Sequence, residues 1–266
     1  PMKKPTQIAR LLKIMETLRH PENGCPWDKE QTFETIAPYT IEEAYEVAEA
    51  IKKNDQQSLK EELGDLLFQI VFYAQMSKEN GGFDFDDIAE TISDKMVKRH
   101  PHVFGTKEQR SLKEQTIAWE DHKALERADN TEENGALEGV ALALPALLRA
   151  QKLQKRASRM GFDWPNIEPV IEKVQEEIGE ITEALKSNDN KRHIAEEIGD
   201  LLFACVNLAR HTDIDAEQAL KDGNTKFQRR FQFIELRLNE SGKNFEECSL
   251  NQLEKLWNDA KSKERA

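Results

Sequence analysis

The octapeptide EELGDLLF at residues 61–68 returns as EEIGDLLF at residues 196–203, 135 positions later, with seven of the eight residues identical. A second acidic pattern lies upstream of each copy: EEAYE at residues 42–46 and EEIGE at residues 176–180, which are 134 positions apart. The two patterns therefore repeat in the same order and at almost the same spacing. Self-similarity of this kind indicates an internal duplication of one structural unit.

Two further pairs of residues repeat downstream of the acidic patterns. Lys95 with Arg99 and Lys226 with Arg230 are 131 positions apart, and Trp119 with Lys123 and Trp257 with Lys261 are 138 positions apart. Between the copies, residues 126–139 (ERADNTEENGALEG) are polar and lack a sustained apolar period, which is typical of a linker. We predict an N-terminal repeat at residues 1–125, a linker at 126–140 and a C-terminal repeat at 141–266.

Both repeats are predicted to be helical. Charged residues make up 33% of the chain and apolar residues 38%, with only 12 Gly and 9 Pro, a composition that suits amphipathic helices better than sheets or disorder. Apolar residues recur at helical spacing, as at Ile194, Ile198 and Leu201. We therefore predict an all-α fold of two tandem four-helix repeats. The loops HPENGCPWD (20–28) and MGFDWPN (160–166) precede the acidic helices and are expected to line a site.

The overall charge excludes some partners. A formal net charge of -12 repels a nucleic-acid backbone, and the sequence has no basic arm to offset it, so no nucleic-acid polymer is expected. Small phosphate esters remain possible ligands, because a bound divalent cation inverts the local field. No apolar run approaches the ~18 residues of a membrane span, and three Cys without a CxxC pair fit free thiols. We expect a cytoplasmic protein that has no membrane partner.

The acidic patterns place their carboxylates on one face of a helix. At about 100° per residue, Glu176, Glu177 and Glu180 lie at roughly 0°, 100° and 40° around the axis. The second pattern has the same spacing, so six carboxylates converge if the two helices pair antiparallel; its members are Glu196, Glu197 and Asp200. A single such cluster is ordinarily a solvated face, since like charges at this spacing cost only about 0.2–0.5 kcal/mol.

Repetition of the cluster, together with glycine inside the helices, favours a site over a solvated face. Gly64 and Gly199 each cost a helix about 1 kcal/mol relative to Ala, which close backbone approach would justify. Oxygen-only ligands select hard cations, so we predict Mg²⁺, with Mn²⁺ as a possible substitute, and a phosphate substrate. A di-iron centre requires Glu-x-x-His on two helices, and none of the six His has Glu three residues before it.

Several basic and aromatic residues of the C-terminal repeat are candidates for binding the rest of a nucleotide. Lys173 lies one turn before Glu177, and Lys226 with Arg230 and Trp257 with Lys261 are each spaced i, i+4. The cations are suited to neutralising pyrophosphate, and the indole to stacking on a base. Each has an ordinary alternative: Lys and Arg are mostly exposed, and Trp257 is equally suited to core packing. His193 is a candidate contact for ribose or phosphate, although a solvated residue at a helix start fits it better.

The two copies differ at one cationic position. Tyr39 stands in the N-terminal copy where Lys173 stands in the C-terminal copy, beside an otherwise intact acidic set of Glu43, Glu46, Glu62 and Asp65. We therefore predict that hydrolysis belongs mainly to the second copy. The first copy is expected to keep a role in folding, pairing or weak metal binding.

These motifs resemble those of the MazG family of nucleoside triphosphate pyrophosphohydrolases, which carry two tandem repeats. The resemblance rests on GCPWDKEQT, on EEAYE with EELGDLLF, on EEIGE with EEIGDLLF, and on the Trp-x-x-x-Lys pair, and it covers nearly the whole chain. EExxE followed by ExxD is weak as a lone pattern but specific when doubled. The resemblance implies a four-helix core in each repeat, a homodimer, magnesium dependence, and cleavage between the α and β phosphates of nucleoside triphosphates, ATP among them, with broad tolerance of the base.

The same resemblance implies roles for individual residues. The metal ligands would be Glu177, Glu180, Glu197 and Asp200, and Glu176 or Glu196 would orient or deprotonate the attacking water. Nucleotide-binding positions of the family match Lys173, Lys226, Arg230, Trp257 and Lys261. His193 departs from the pattern, because a related member has Lys there. The family is also linked to lowering alarmone nucleotide levels during bacterial starvation.

Three hypotheses from different classes follow. A hydrolase releases pyrophosphate from several triphosphates in Mg²⁺ and stops in EDTA. A nucleotide-sensing or partner-binding module binds metal nucleotide without turnover, which Tyr39 makes plausible for the first copy. A helical scaffold with incidental acidic faces shows no change in melting temperature with Mg²⁺ and a non-hydrolysable nucleotide. We favour the hydrolase.

Overall fold

A computed structural model describes residues 6–105, 111, 114–115, 118–119, 135–187 and 190–265 of the chain. The backbone contacts divide the chain into two compact units, residues 1–129 and 130–266. The described residues form helices and no strands, so the predicted all-α fold is confirmed. Lys123 and residues 126–134 of the predicted linker lie outside the described residues.

Between residues 6 and 105, which the structure describes without a gap, the first unit has four long helices and two short ones. In chain order they are α1 (Gln7–Leu18), α2 (Pro26–Glu30), α3 (Phe33–Lys53), α4 (Gln56–Glu79), α5 (Phe85–Arg99) and α6 (Pro101–Phe104). The acidic patterns lie on α3 and α4, which pack against each other along their length. The connection between them is tight, because Asn54 ends α3 in the left-handed conformation (φ 54°) and Asp55 caps the start of α4.

The second unit contains five long helices among its described residues. They are α7 (Ala146–Arg159), α8 (Glu168–Lys186), α9 (Lys191–His211), α10 (Ala216–Glu240) and, after a 3-10 turn at Phe245–Glu247, α11 (Leu250–Arg265). The acidic patterns lie on α8 and α9, which again form the closest helix pair of their unit. The side chain of Asn190 accepts a hydrogen bond from the backbone N–H of His193 and so fixes the start of α9.

The apolar stripes of the helices meet in a separate core within each unit. In the first unit Met15, Ile36, Val71, Phe72 and Met76 join α1, α3 and α4. In the second unit, helices α8, α9, α10 and α11 contribute these buried apolar side chains: Val170, Ala184, Ala204, Val206, Ala216, Ile234, Leu238 and Ala260. Because the apolar stripes face inward, the opposite faces of the paired helices are left for the carboxylates. In the described part of the chain, none of the helices has the length and apolar character needed to cross a membrane.

Candidate active site

The site in the second unit is built on an ion pair between the half-buried Lys173 and the buried Glu177. Both lie on α8, one turn apart, and the Lys173 ammonium is 2.7 Å from Oε1 of Glu177 and 2.8 Å from Oε1 of Glu176. Glu177 is only 4% exposed, which is unusual for a carboxylate and requires a charged partner. The hydrogen bonds that Lys173 donates to Glu176 and Glu177 raise the pKa of Lys173, so this lysine is charged at neutral pH.

Three further carboxylates surround Glu177. Oxygens of Glu177, Glu197 and Asp200 lie within 4.8 Å of one another, across the contact between α8 and α9. Glu180 lies about one turn after Glu177 on α8, and loss of solvent together with the negative charges of Glu177 and Glu197 raises its pKa. The predicted metal ligands Glu177, Glu197 and Asp200 are therefore together in space with Glu180 beside them, and one lysine is insufficient to balance the four carboxylates.

A hard divalent cation fits this arrangement. Oε2 of Glu177 is buried and has no hydrogen-bond partner among the described residues. A buried acceptor in that state costs roughly 1–3 kcal/mol or more when it is charged, unless a ligand satisfies it. The atoms available as metal ligands are carboxylate oxygens, which Mg²⁺ and Mn²⁺ prefer. The acidic cluster is thus suited to holding a metal.

Glu176 and Glu196 lie beside this cluster, not within it. Both side chains are exposed, Glu176 is paired with Lys173, and Glu196 accepts a hydrogen bond of 3.1 Å from Nε of Arg192. The helical angles predicted that six carboxylates converge. Glu176 and Glu196 do not join the others, because each precedes a cluster residue by one position and therefore lies about 100° away around its helix, toward solvent. His193 approaches the cluster, with Nδ1 3.2 Å from Oε1 of Glu197.

The remaining predicted nucleotide contacts form a second group on α10 and α11. The Arg230 guanidinium lies 5.4 Å from the centre of the Trp257 ring and is paired with Glu264 at 2.8 Å. Trp257 also contacts Phe227, with ring centres 5.4 Å apart. Lys226 is exposed and Lys261 is half-buried on the same two helices. The first unit repeats the central contact, since the Arg99 guanidinium lies 5.1 Å from the Trp119 ring.

The first unit builds a similar acidic cluster without the lysine. Oxygens of Glu43, Glu62 and Asp65 lie within 4.8 Å of one another. Loss of solvent and the charges of its neighbours raise the pKa of Glu43, as they do that of Glu62. Tyr39 stands in the position of Lys173 and packs edge-on against Trp27, with ring centres 6.2 Å apart. The two acidic sets are therefore alike, but only the second has a lysine at this position.

A cavity of about 730 Å³ opens beside the acidic cluster of the second unit. Lys173, Glu177 and Asp200 line one part of it. The rest of the wall is mainly apolar and comes from α7, α8, α9 and two loop segments: Leu137, Leu153, Gln154, Ala157, Gly161, Phe162, Asp163, Trp164, Val170, Phe203, Ala204, Asn207 and Arg210. Residues 161–164 of the loop that was expected to line a site therefore line this cavity. Gln154, Asn207 and Arg210 were not predicted, because each is an isolated polar residue on a helix with no repeated partner.

The sequence profile of the MazG nucleotide pyrophosphohydrolase domain matches this chain twice, at residues 31–104 and 166–232. This chain belongs to the MazG family. It is 51% identical over 259 residues to a nucleoside triphosphate pyrophosphohydrolase of Escherichia coli strain K12, covering 97% of this chain and 98% of that protein. It is also 42% identical over 254 residues to the nucleoside triphosphate pyrophosphohydrolase/pyrophosphatase MazG of Thermotoga maritima, covering 96% and 95%.

In this MazG-family chain the loop at 160–166 is held in place by hydrogen bonds to one residue, Asp163. Gly161 turns the chain after α7 with φ +84°, a conformation that disfavours other side chains. Asp163 then accepts hydrogen bonds from Arg210 at 2.8 Å and 2.5 Å and lies 3.0 Å from Nε2 of His211. Oδ1 of Asn207 accepts from the same guanidinium at 2.7 Å. Arg210 above all, and then His211, lower the pKa of Asp163 to about 2.

The glycines within the acidic helices do not mark a close backbone approach. A β-carbon built at Gly64 or at Gly199 meets no described atom within 4 Å. The expectation that crowding explains these glycines is therefore wrong for the chain as described. Both glycines are exposed on the surface of α4 and α9, with open space beside them.

Proposed function

We propose that this chain hydrolyses nucleoside triphosphates to the monophosphate and pyrophosphate, with Mg²⁺ held in the second unit. The observation that carries the proposal is the unpaired, buried Oε2 of Glu177 within a cluster of four carboxylates that borders a large, mostly apolar cavity. Membership of the MazG family and the names of the relatives support the same reaction. Mn²⁺ is expected to substitute for Mg²⁺.

The residues divide the work by position. Glu177, Glu180, Glu197 and Asp200 would hold the metal, which when bound polarises and orients the phosphates. Lys173 fixes the direction of Glu177 through the 2.7 Å contact and supplies a positive charge at the cavity wall. Water forms the new bond to the α-phosphorus as the bond between that phosphorus and the bridging oxygen breaks. Glu176 or Glu196 takes the proton of the water, and pyrophosphate leaves.

The cavity is suited to the nucleoside. Its apolar wall includes Phe203, Ala204 and Trp164, which accept any base through stacking and dispersion. Such a wall supports a broad range of bases. Lys226, Arg230, Trp257 and Lys261 belong to a separate group on α10 and α11, and we propose that they contact the nucleotide from outside this cavity.

Product analysis tests the proposal. The chain is mixed with ATP, GTP, CTP or UTP in Mg²⁺, and both pyrophosphate and orthophosphate are measured. We expect pyrophosphate and the monophosphate from several of the four, no turnover in EDTA, and recovery with Mn²⁺. Release of orthophosphate with the diphosphate would place the attack at the γ-phosphorus and reject the proposal.

The first unit supports a second candidate function. Tyr39 replaces the lysine beside an intact acidic set, so this unit is proposed to bind metal or metal nucleotide without turnover. A regulatory or sensing role for the first copy is compatible with hydrolysis in the second. Binding of Mn²⁺ to a chain in which Glu180 is replaced by Gln, measured by calorimetry, would reveal the first site alone.

We further propose that the chain forms a homodimer. Apolar side chains spaced seven residues apart on α8, Ile171, Ile178 and Leu185, are 41–59% exposed, and Leu202 on α9 is 53% exposed. Repeated apolar residues at this spacing are typical of helix-to-helix contacts. Light scattering is expected to give twice the 30.6 kDa chain mass and a monomer for Leu202→Glu. A monomeric wild-type chain would reject the assembly.

A further inference from the structure

Gln154 is buried in the wall of the cavity, and only one of the two polar groups of its amide forms a hydrogen bond. The residue lies on α7, is 7% exposed, and donates from Nε2 to the backbone carbonyl of Phe203 on α9 at 2.8 Å. Its Oε1 is buried and has no hydrogen-bond partner among the described residues. An amide oxygen left in this state costs free energy unless a ligand donates to it.

The hydrogen bond to Phe203 also settles which way the amide faces. A carbonyl oxygen accepts and cannot donate, so the end of Gln154 that meets it must be the NH₂ group. Rotating the amide by a half-turn would put two acceptors against each other. The free end is therefore an acceptor, and only an N–H or O–H donor satisfies it.

A neighbouring glutamine shows what a purely structural amide looks like here. Gln151 lies one turn earlier on α7, donates to the carbonyl of Ile214 at 3.1 Å, and accepts from the backbone N–H of Ala216 at 3.3 Å. Both ends of its amide are used by the protein, and it is not among the residues that line the cavity. Gln154 differs in both respects.

The position of Gln154 along the cavity matches a base and not a phosphate. Asp200 at the acidic end and Asn207 at the other end lie two turns apart on α9, which is about 10 Å of helix. Gln154 contacts α9 at Phe203, between the two, where the wall is otherwise apolar. If the phosphates lie at the acidic end, as the proposed function requires, the heterocycle lies against this part of the wall.

We propose that Gln154 is a specificity-determining residue whose Oε1 accepts a hydrogen bond from the exocyclic amino group of the base. Adenine and cytosine carry this group at equivalent edges, whereas guanine, uracil and thymine present a carbonyl oxygen there. A base without the amino group leaves the buried acceptor of Gln154 unpaired, and this discriminates between bases more sharply than an apolar pocket does. The preference for adenine and cytosine is therefore superimposed on the general tolerance of the cavity, and it rests on the proposed function.

Two substrates that differ in a single amino group test the proposal. ATP and purine riboside 5′-triphosphate, which lacks only the 6-amino group, are compared by kcat/KM for pyrophosphate release. We expect the wild-type chain to favour ATP by about 10-fold. In Gln154→Met, which has no acceptor, the ratio falls to about 1, and in the control Gln151→Met it stays near the wild-type value. A ratio cancels losses of folded protein, which a structural role would produce.

A second variant keeps the test decisive if Gln154→Met does not fold. Gln154→Asn retains the amide but withdraws it by one methylene, so the ratio is expected to fall as well. A wild-type ratio near 1, or a ratio unchanged in either variant, overturns the assignment while pyrophosphate release continues. Absence of pyrophosphate from every triphosphate with the wild-type chain is a different outcome, because it rejects the proposed function itself.

Discussion

The ammonium of Lys173 lies 2.7 Å from one carboxylate oxygen of Glu177 and leaves the other oxygen, Oε2, without a hydrogen-bond partner among the described residues. The lysine thus neutralises one side of a buried carboxylate, and one oxygen of that carboxylate lies within 4.8 Å of oxygens of Glu197 and Asp200. The first unit has the acidic cluster without this lysine, because Tyr39 stands in its place. The contact is the chief physical difference between two otherwise similar sites.

Removing this lysine is expected to affect the second site alone. Lys173→Met should lower kcat/KM for pyrophosphate release by about 100-fold, because a positioned charge is lost and Glu177 is left uncompensated. It should also lower the melting temperature measured without metal. Tyr39→Met is the matched control and should leave kcat within about 3-fold of wild type, within the usual spread for a residue remote from the chemistry. Equal losses in the two variants would contradict the assignment of turnover to the second unit.

The acidic residues offer a second matched pair. Glu180→Gln should reduce pyrophosphate release by more than about 100-fold, since loss of a direct metal ligand exceeds the effect of outer residues. Glu46→Gln occupies the corresponding place in the first unit and should retain most of the activity. The rise in melting temperature caused by Mg²⁺ with a non-hydrolysable triphosphate should be smaller for Glu180→Gln than for the wild-type chain. If Glu46→Gln were the more damaging change, hydrolysis would belong to the first unit.

The open space at the helix glycines leads to a stability prediction. Because a β-carbon at position 64 or 199 meets no described atom within 4 Å, each Gly→Ala change should raise the free energy of unfolding by about 0.5–1 kcal/mol. Urea unfolding of Gly64→Ala and Gly199→Ala measures the gain. A loss at position 199 in the presence of metal and nucleotide, but not in their absence, would show that a ligand occupies the space above that glycine.

The anchor at Asp163 should make stability depend on acid pH. The pKa of this carboxyl is about 2 in the folded chain against an ordinary value of 3.8. A lowered pKa means that the stabilisation is complete above about pH 4 and is lost as the pH falls toward 2. Melting temperatures of wild type and Asp163→Asn should therefore differ at pH 6 and converge between pH 4 and pH 2. A gap that stays constant over this range would show that the ion pair contributes nothing.

Periodicity explains why so much of the fold was readable from the chain. The stripes that include Val170 and Val206 are regular along α8 and α9, so the helices and their buried faces follow from spacing alone. The carboxylates of Glu177 and Asp200 were readable for the same reason. Helix angles are too coarse to show that Glu176 turns to solvent, and this depends on how α8 is rotated against α9.

Features that depend on contacts between distant residues could not be read in this way. Gln154 becomes distinctive only when α7 meets α9, 49 positions further along the chain. The contact of Arg210 with Asp163 spans 47 positions and has no local signature. The open space around Gly199 could not be predicted for a related reason: the low helix propensity of glycine predicts a cost to the helix but does not identify the neighbouring atoms.

The anchor at Asp163 has a consequence for how this enzyme family can diversify. The loop is secured at its middle by Arg210 and His211, so the flanking Phe162, which is 84% exposed, and Trp164 are not needed to hold the backbone in place. Mutations at these two positions can therefore reshape the mouth of the cavity without unfastening the loop. A library that varies residues 162 and 164 while keeping Asp163 would test whether the proposed nucleoside cavity sets the nucleotide preference.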